Sequence, residues 1–388
     1  MNALTKKIKS DRFCKEIFRL DKDIYLVGGF IRDSVLGRKA VDRDFIVSKD
    51  PREIAERAAG IFGGTIVSFK DDMTIRLALD KGVTLDFTKI VKDINYDLSF
   101  RDITINSIAF GVDEGFIDPM SGFSDIESQV IRTDRKESLL KDPLRCLRAY
   151  RFMGELGWKI SPDTRSMITE FRDRLSLVPV ERITLEFFKM MCGKHFTDAL
   201  DLCIKDGIID YIISNNNNIL TDNTMKLLEV EAFFDKLPSS FRKVLDDIYS
   251  SHLTFRGLIR LERLLFGVAI GSINLAISNL IERRLIRSGK FLADLEKYGE
   301  DLDLFEVFFA SPDMIYDLVC ISASNVVMSG AGRFLKIRDK KILSTDEIME
   351  LSGMSGERLG RLLYQIDRER FYGTIRTKKH VIDMISSQ

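Results

Sequence analysis

Three aspartates in the first part of the chain are spaced in a way that suits a divalent cation. Asp42 and Asp44 are separated by a single residue at the beginning of a predicted strand, residues 44–47. Alternate residues of a strand point to one face. Two carboxylates on one face repel unless a cation lies between them, and Mg²⁺ binds one or two carboxylates together with phosphate oxygens. Asp86, between apolar neighbours of another predicted strand, is the third catalytic candidate. The alternatives are a solvated turn for the pair and an edge-strand position for Asp86.

A glycine pair precedes these aspartates. The predicted strand at residues 24–27 ends in Gly28 and Gly29, and the helix predicted to follow carries Arg32 and Asp33. Glycines let the backbone approach a ligand closely, and free N–H groups at a helix start favour phosphate. Arg32 is placed to reach the same phosphate, and Asp33 is counted with it as a nucleotide-binding candidate. The alternative is a tight turn, and the spacing is not that of the dinucleotide-binding fingerprint.

The order of these signals is more specific than any one of them. A strand, a glycine turn, a helix and an acidic pair on the next strand resemble the nucleotidyltransferase superfamily. The chain further resembles the bacterial class II tRNA nucleotidyltransferase and poly(A) polymerase family over about residues 22–195. The resemblance implies an α+β fold in which a small mixed-sheet nucleotidyltransferase head precedes an all-helical neck, body and tail. The matching segments are residues 26–37, 42–44, 100–106, 117–126, 142–152 and 180–183.

The resemblance implies that Asp142 and Arg145 read the base of the incoming nucleotide. Residues three apart lie on one face of a helix, and arginine supplies only donors whereas an ionised aspartate supplies only acceptors. Cytosine and adenine satisfy such a pair, but guanine and uracil present like groups to it, and unpaired buried polar groups are costly. We therefore expect CTP, ATP or both as substrates. The alternative is that Asp142 only caps the helix that Pro143 begins.

Other basic and polar positions in the matching segments are nucleotide-binding candidates. The resemblance implies contacts from Arg101, Asp102 and Asn106 to sugar and phosphates. Arg148 and Arg151 continue the helix face that carries the base readers and are candidates for binding triphosphate. The alternatives are a helix cap for Asp102 and a solvated basic stripe for the two arginines.

The particular member of the family depends on a short segment. The connection at residues 88–100 is shorter than in most of the family, in which loss of this loop marks enzymes that add only the two cytidines. CC addition to a tRNA 3′ end is the leading interpretation. Full CCA addition, A addition and poly(A) synthesis remain open, as do a non-catalytic RNA-binding protein and transfer to a protein or small molecule. Lys141 stands just before Asp142, where the family usually has an acidic residue, and this difference leaves the nucleotide preference open.

Hydrophobic periodicity predicts how these residues are carried. The first part alternates helices with short strands, and Asp50 followed by Pro51 predicts a capped helix start. The remainder is predicted to be helical, interrupted at the polar residues 214–218 and 322–332. We divide the chain into a head (1–136), neck (137–200), body (201–330) and tail (331–388). The predicted helices include residues 1–20, 30–36, 138–157, 163–175 and 181–191, and the predicted strands are residues 24–27, 44–47, 65–69, 74–79 and 83–89.

Composition limits the remaining possibilities. The 388 residues carry 59 basic and 59 acidic side chains, so zero net charge argues against wrapping long DNA, and no DNA partner is expected. No apolar run is long enough for a membrane helix and no signal peptide is evident, so no membrane partner is expected. Five scattered cysteines are typical of a reduced cytoplasmic protein. In the tail, a glycine-containing turn at residues 353–356 precedes Arg358 and Arg361, which are RNA-binding candidates unless the segment is a plain helical hairpin.

Overall fold

The structure, a computed structural model, describes residues 2–69, 73–214, 216–250 and 252–387. It separates the chain into two compact units, residues 1–215 and 216–388, and each is described by itself. Met1 of the predicted first helix, Asn215 of the predicted break at 214–218 and Gln388 of the predicted tail lie outside the described residues. The four-part division into head, neck, body and tail stays a prediction.

A seven-stranded mixed sheet is the centre of the first unit. Its strand order is β3-β4-β5-β2-β1-β6-β7, and β2 and β5 are parallel whereas the other neighbouring strands are antiparallel. The five strands predicted from sequence are present, but β6 and β7, each of three residues, were not predicted because such short strands leave no periodic signal. The strands are β1 (Ile24–Val27), β2 (Arg43–Val47), β3 (Thr65–Ser68), β4 (Thr74–Ala78), β5 (Thr84–Lys89), β6 (Ala109–Gly111) and β7 (Gly115–Ile117).

Eleven α-helices of the described residues surround and follow this sheet. As predicted, Asp50 caps α4, its side chain accepting from Arg52 N, and Pro51 is the first helical residue. Two further two-residue strands, β8 (Val130–Ile131) and β9 (Lys159–Ile160), pair in parallel. The helices are α1 (Asn2–Ser10), α2 (Arg12–Ile17), α3 (Gly29–Val35), α4 (Pro51–Phe62), α5 (Ile94–Ser99), α6 (Gly122–Ser128), α7 (Lys136–Lys141), α8 (Leu144–Leu156), α9 (Pro162–Phe171), α10 (Val180–Met191) and α11 (Phe196–Lys205).

Three helices predicted as continuous are interrupted. The helix predicted at 1–20 is broken by Asp11, whose carboxylate accepts backbone N–H groups at the start of α2 and so favours a new helix over continuation. The helix predicted at 138–157 is two helices, because Asp142 precedes a proline and takes an extended conformation. The helix predicted at 163–175 is α-helical only to Phe171 and continues as a 3₁₀ helix.

The second unit is mainly helical, so the α+β architecture with a mostly helical remainder is confirmed. Two predictions fail in detail. The body also contains a strand pair, β10 (Ile248–Ser250) and β11 (Leu253–Thr254). Most of the predicted break at 322–332 is helix, because Ser324 caps α18 by accepting from Val327 N. The helices are α12 (Asn217–Phe234), α13 (Ser239–Arg242), α14 (Phe255–Leu264), α15 (Asn279–Tyr298), α16 (Leu304–Ala310), α17 (Ile315–Ser322), α18 (Asn325–Asp339), α19 (Thr345–Ser352), α20 (Gly356–Tyr372) and α21 (Lys378–Ser386).

Alternation along the central strands separates the core from the candidate site. Phe45 of β2 and Phe87 of β5 are fully buried and stack with ring centroids 5.5 Å apart. Their neighbours Asp44 and Asp86 therefore project from the opposite face of the sheet. Among the described residues, no helix is both long and apolar enough to cross a membrane.

Candidate nucleotide-binding site

The acidic pair and Asp86 meet where β2 and β5 run side by side. Asp44 is the register partner of Asp86, and Asp42 accepts a hydrogen bond from Thr84 Oγ1 at 2.8 Å. Burial raises the pKa of the Asp44 carboxyl; the charges of Asp86 and Asp42 add to the rise and that of Arg101 opposes it. Such crowding of carboxylates is the electrostatic condition for cation binding.

Asp86 differs from the other two aspartates because it has a cationic partner. Arg76 of β4 donates from Nε and Nη2 to its two carboxylate oxygens, each at 2.7 Å. The edge-strand alternative is wrong, since β5 lies between β4 and β2. Within the described ranges, no group of three or more histidine, cysteine, aspartate or glutamate side chains is arranged to hold a metal ion. Asp42 and Asp44 alone still match a Mg²⁺ site in which phosphate oxygens supply other ligands.

The glycine turn lies directly beside these carboxylates. Gly28 has φ +76°, a left-handed conformation that favours glycine. A Cβ at this position would stand 2.8 Å from Arg101 Nη1 and 3.6 Å from Asp44 Oδ2. Gly29 is the first residue of α3. The turn is therefore tight, as the alternative interpretation held. It also brings the backbone within reach of the Arg101 guanidinium and the Asp44 carboxylate.

Arg32 is engaged inside the protein. It is 7% exposed, and its guanidinium donates to both oxygens of Asp33, at 2.9 and 3.1 Å. Its Nη1 donates to Asn106 Oδ1 at 2.7 Å. Arg32, Asp33 and Asn106 thus form a fixed group that holds α3 against the segment following α5.

The group around Arg32 continues into the helical neck. Asn106 Nδ2 donates to Asp102 Oδ1 at 3.1 Å, and Arg148 donates to Asp102 Oδ2 from Nε at 3.0 Å and from Nη2 at 2.6 Å. Arg148 Nη1 donates to Glu186 Oε1 of α10 at 3.1 Å. Burial alone would raise the pKa of Asp102, but Arg148 and Asn106 hold it well below its ordinary value. The capping alternative for Asp102 is wrong, because the 3₁₀ turn at Thr104–Asn106 has no side-chain cap.

Arg148 and Arg151 do not form a solvated stripe. Arg151 Nε pairs with Glu186 Oε2 at 2.9 Å, and its guanidinium lies 3.8 Å from the centroid of the Phe152 ring. Burial lowers the pKa of Arg151 and Glu186 opposes that decrease. Sequence analysis missed Glu186, which is 3% exposed. An acid inside the apolar run at residues 183–191 was the signal that could have found it.

The two proposed base readers lie at the start of α8, each held by a residue that sequence analysis did not select. Arg182 Nη2 donates to Asp142 Oδ2 at 2.9 Å, whereas Asp142 Oδ1 is enclosed and finds no hydrogen-bond partner in the described part of the chain. Arg145 Nη1 donates to Phe100 O at 2.6 Å and also to Ser138 Oγ. The capping alternative for Asp142 is wrong, because no side chain caps α8.

A cavity of about 530 Å³ joins several of these residues. Arg101, Asp102, Asp142, Arg145 and Arg148 line it, with Arg182 and Lys141. The glycines and the three aspartates of the sheet are not among the lining residues, and Arg101 links the two groups because its Nη1 lies beside Gly28. The complete lining is Ile46, Met73, Thr74, Thr88, Lys89, Val91, Asp97, Phe100, Arg101, Asp102, Lys141, Asp142, Arg145, Arg148 and Arg182.

The tail candidates belong to the second unit. Arg358 and Arg361 are exposed on the first turns of α20, and Arg361 lies 3.9 Å from Glu357. Gly353, at φ +64°, ends α19 before this helix begins. This arrangement is the helical hairpin that was the alternative interpretation, and it leaves both arginines accessible.

The sheet and its aspartates are those expected of a nucleotidyltransferase head, and comparison with known proteins gives the same class. Residues 24–132 match the poly(A) polymerase head domain, and residues 157–218 match the probable RNA- and SrmB-binding site of polymerase A. A CCA-adding enzyme of Leuconostoc mesenteroides is 29% identical over 209 residues, which are 49% of this chain and 51% of that protein. A CC-adding tRNA nucleotidyltransferase of Synechocystis is 34% identical over 197 residues, 50% of this chain and 47% of that protein.

The chain thus spans about half the length of these curated relatives. The solved CCA-adding enzyme of Thermotoga maritima in complex with tRNA has a similar fold, with a TM-score of 0.78 at 20% identity over 100% of this chain and 98% of that chain. The two family matches and these relatives support membership of this chain in the class II tRNA nucleotidyltransferase and poly(A) polymerase family.

Proposed function

We propose that this protein adds nucleotides to the 3′ end of tRNA, with CTP as the leading substrate and ATP as the second. The observation that carries the proposal is the placement of Asp44 and Gly28 beside Arg101, which also lines the cavity of Asp142 and Arg145. The Arg101 side chain thereby links a carboxylate site suited to a cation with a site suited to a base. A nucleoside triphosphate carries cation-binding phosphates at one end and a base at the other.

Asp42 and Asp44 are the residues that would hold Mg²⁺, which would supply charge stabilisation at the phosphates and a more acidic 3′-hydroxyl. The terminal 3′-oxygen of the RNA attacks the α-phosphorus, and pyrophosphate leaves with the electrons of the broken bond. Arg101 binds phosphate beside Gly28, and Arg148 is oriented through its ion pair with Asp102. The protein contributes alignment and charge, so no covalent intermediate with the enzyme is needed.

The base readers favour cytosine or adenine. Asp142 Oδ1 has no donor among the residues that the structure describes, and a buried acceptor without a donor carries a cost that the exocyclic amine of either base removes. The amino group Arg145 Nη1 is occupied by backbone and hydroxyl oxygens, so its Nε and Nη2 are left for the ring acceptors. Guanine and uracil bring a ring N–H donor against these donors and are rejected.

CC addition is the leading form of the activity. Arg145 donates to Phe100 O, and Phe100 ends the short connection at residues 88–100. This bond fixes the base-reading arginine to the segment that would have to move if the site were reset from cytosine to adenine. Full CCA addition is the second candidate, because relatives bearing both names are similar to this chain. A tRNA substrate also favours the cytoplasm as the place of action.

Three tRNA transcripts test the proposal, ending at the discriminator base, at C and at CC. Each is incubated with Mg²⁺ and CTP, ATP or both, and the products are sized on a gel. Two cytidines and no adenosine on the CC-ended transcript establish CC addition. Asp42→Ala should abolish incorporation with its fold intact, and Asp80→Ala, an exposed aspartate of the same domain, is the matched control.

Other products would replace the assignment in defined ways. Full CCA would show that the short connection does not prevent the switch, and a single A on the CC-ended transcript alone would indicate an A-adding enzyme. Long A tails on any RNA would mean poly(A) synthesis. No product with any transcript would contradict the proposal and leave RNA binding without catalysis or another acceptor.

A further inference from the structure

An aromatic cavity in the second unit has no role in the function proposed above. Its volume is about 410 Å³. The Phe305 ring is fully buried, and Phe309 stacks on it at 5.8 Å with an interplanar angle of 26°. Phe309 is itself 50% exposed, and its ring also meets that of Tyr364 edge to face, with the centroids 4.8 Å apart. The lining residues are Phe305, Phe309, Pro312, Phe334, Ile337, Arg338, Lys341 and Asp367.

A cluster of exposed basic residues adjoins this cavity. Asp339 lies among them in the sequence, and the charge of Lys341 acts on Asp367 of the cavity wall. Five basic side chains on α18 and just after it are exposed, and none has an ion-pair partner within the part of the chain that the structure describes. Two of the five line the cavity itself. Many other arginines of the chain are paired with acids, as Arg368 is with Asp303 at 2.8 Å. The cluster consists of Arg333, Lys336, Arg338, Lys340 and Lys341.

We propose that this cavity binds one unpaired nucleotide of an RNA, with its base on the exposed ring of Phe309 and its phosphates on Arg338 and Lys341. Bases splayed from single-stranded or looped RNA stack on aromatic side chains, and positively charged grooves track the backbone. The proposal rests on the proposed function, which makes RNA the substrate. It adds a second RNA contact, built from different residues than the reaction site.

Asp367 orients a bound nucleotide in the cavity. Its Oδ1 accepts from Arg370 Nη1 at 2.9 Å, so its carboxylate is held at the cavity wall. A carboxylate repels phosphate and accepts N–H groups, which directs the base rather than the backbone towards it. Every base has an N–H donor for this acceptor, uracil through its ring N3–H, so the preference among bases comes from the strength of stacking. The two-ring system of adenine stacks over more area than uracil does, and we therefore expect oligoadenylate to bind more tightly than oligouridylate.

The test measures binding of fluorescein-labelled A8 and U8 RNA to the full chain by fluorescence anisotropy. Phe309→Leu keeps an apolar side chain of similar size but removes the aromatic face, whereas Phe309→Tyr keeps the face. Stacking contributes about 1–3 kcal/mol per base, so the Leu variant should bind A8 about 5- to 140-fold more weakly than the Tyr variant. The double variant Arg338→Ala/Lys341→Ala should lower the salt dependence of binding by about two charges, unlike the control Lys297→Ala/Lys379→Ala.

The outcomes separate this proposal from the proposed function. Equal A8 affinity of the two Phe309 variants, or tighter binding of U8 than of A8, would overturn the nucleotide site even if the wild-type protein adds cytidines to tRNA. Phe309-dependent binding in a wild-type protein that adds no nucleotide to any transcript would uphold the site and reject the proposed function. Circular dichroism of both variants confirms that an affinity difference does not reflect unfolding.

Discussion

Asp44 and Asp86 are direct register partners on neighbouring parallel strands, and Arg76 forms an ion pair with Asp86. The two carboxylates are therefore in different electrostatic states although their places in the sheet are equivalent. Asp86 is neutralised by a bidentate partner, whereas Asp44 is buried beside the like charges of Asp86 and Asp42. This difference leads to the first prediction.

Asp44→Asn should stabilise the protein and abolish nucleotide incorporation. Because burial and nearby carboxylates raise the pKa of Asp44, its contribution to stability is present at low pH and is lost as pH rises through the folded-state pKa. At neutral pH the charge is a cost that Asn removes, and we expect a gain of about 1 kcal/mol. Thermal unfolding and primer extension measure the two effects. Asp86→Asn is the contrasting variant, since it leaves Arg76 unpaired and should not stabilise.

Gly28→Ala should impair nucleotide binding as well as stability. The new methyl group would combine a strained positive φ with a 2.8 Å approach to Arg101 Nη1. Gly37→Ala is the matched control, because Gly37 has φ +68° but no atom within 4 Å of an added Cβ. Both variants should lose about 1 kcal/mol in urea unfolding, but only Gly28→Ala should raise the KM for CTP severalfold. Equal KM values would show that Gly28 serves the turn alone.

Asp142→Ala should relax base choice more than it weakens triphosphate binding. It removes the acceptor for the exocyclic amine, whereas contacts to the phosphates remain. Arg182→Ala should give a milder form of the same change, because it frees Asp142 Oδ2 and leaves the carboxylate unanchored. Competition among the four nucleoside triphosphates measures selectivity, and unchanged discrimination against UTP in Asp142→Ala would exclude base reading by this residue.

Glu186→Ala should be strongly destabilising. It leaves Arg148 and Arg151 without the acid that lies between them, and removal of one partner of a buried ion pair costs about 3–5 kcal/mol. Glu155→Ala removes a more exposed partner of Arg151, at 3.3 Å, and should cost less than about 1 kcal/mol. Urea denaturation at neutral pH compares the two. Similar costs would mean that Glu186 is not the anchor of this network.

The stability of the protein should also fall as pH rises, because of Glu262 in the second unit. Burial raises the pKa of Glu262 to about 8, and Arg284 and Ser288, which face it, oppose the rise. The contribution of Glu262 to folding stability is therefore complete at pH values below the ordinary pKa of glutamate, and it is lost as pH rises towards about 8. Glu262→Gln should flatten the decline in urea midpoint between pH 5 and pH 8.5. If the urea midpoint declined identically in the wild type and in Glu262→Gln, titratable groups other than Glu262 would be responsible for the decline.

Much of the candidate site followed from sequence because its residues are close together along the chain. The strand before Gly28 and the acidic pair at the start of β2 are local patterns, and these residues lie on the elements that their motifs predicted. Asp142 lies between α7 and α8 rather than on one helix with Arg145. Local patterns failed where a polar side chain competed for the backbone, as at Asp11, and where strands were as short as β6.

The sequence by itself determined most of the helices and strands and the candidate residues on them, since periodicity and turn residues act over a few positions. Only the tertiary structure decided which of them are already paired. Arg148 meets Glu186 across 38 positions, and Arg182 meets Asp142 across 40. Such pairs form when packing of the helices removes two distant charges from water together, and no local pattern in the chain specifies them.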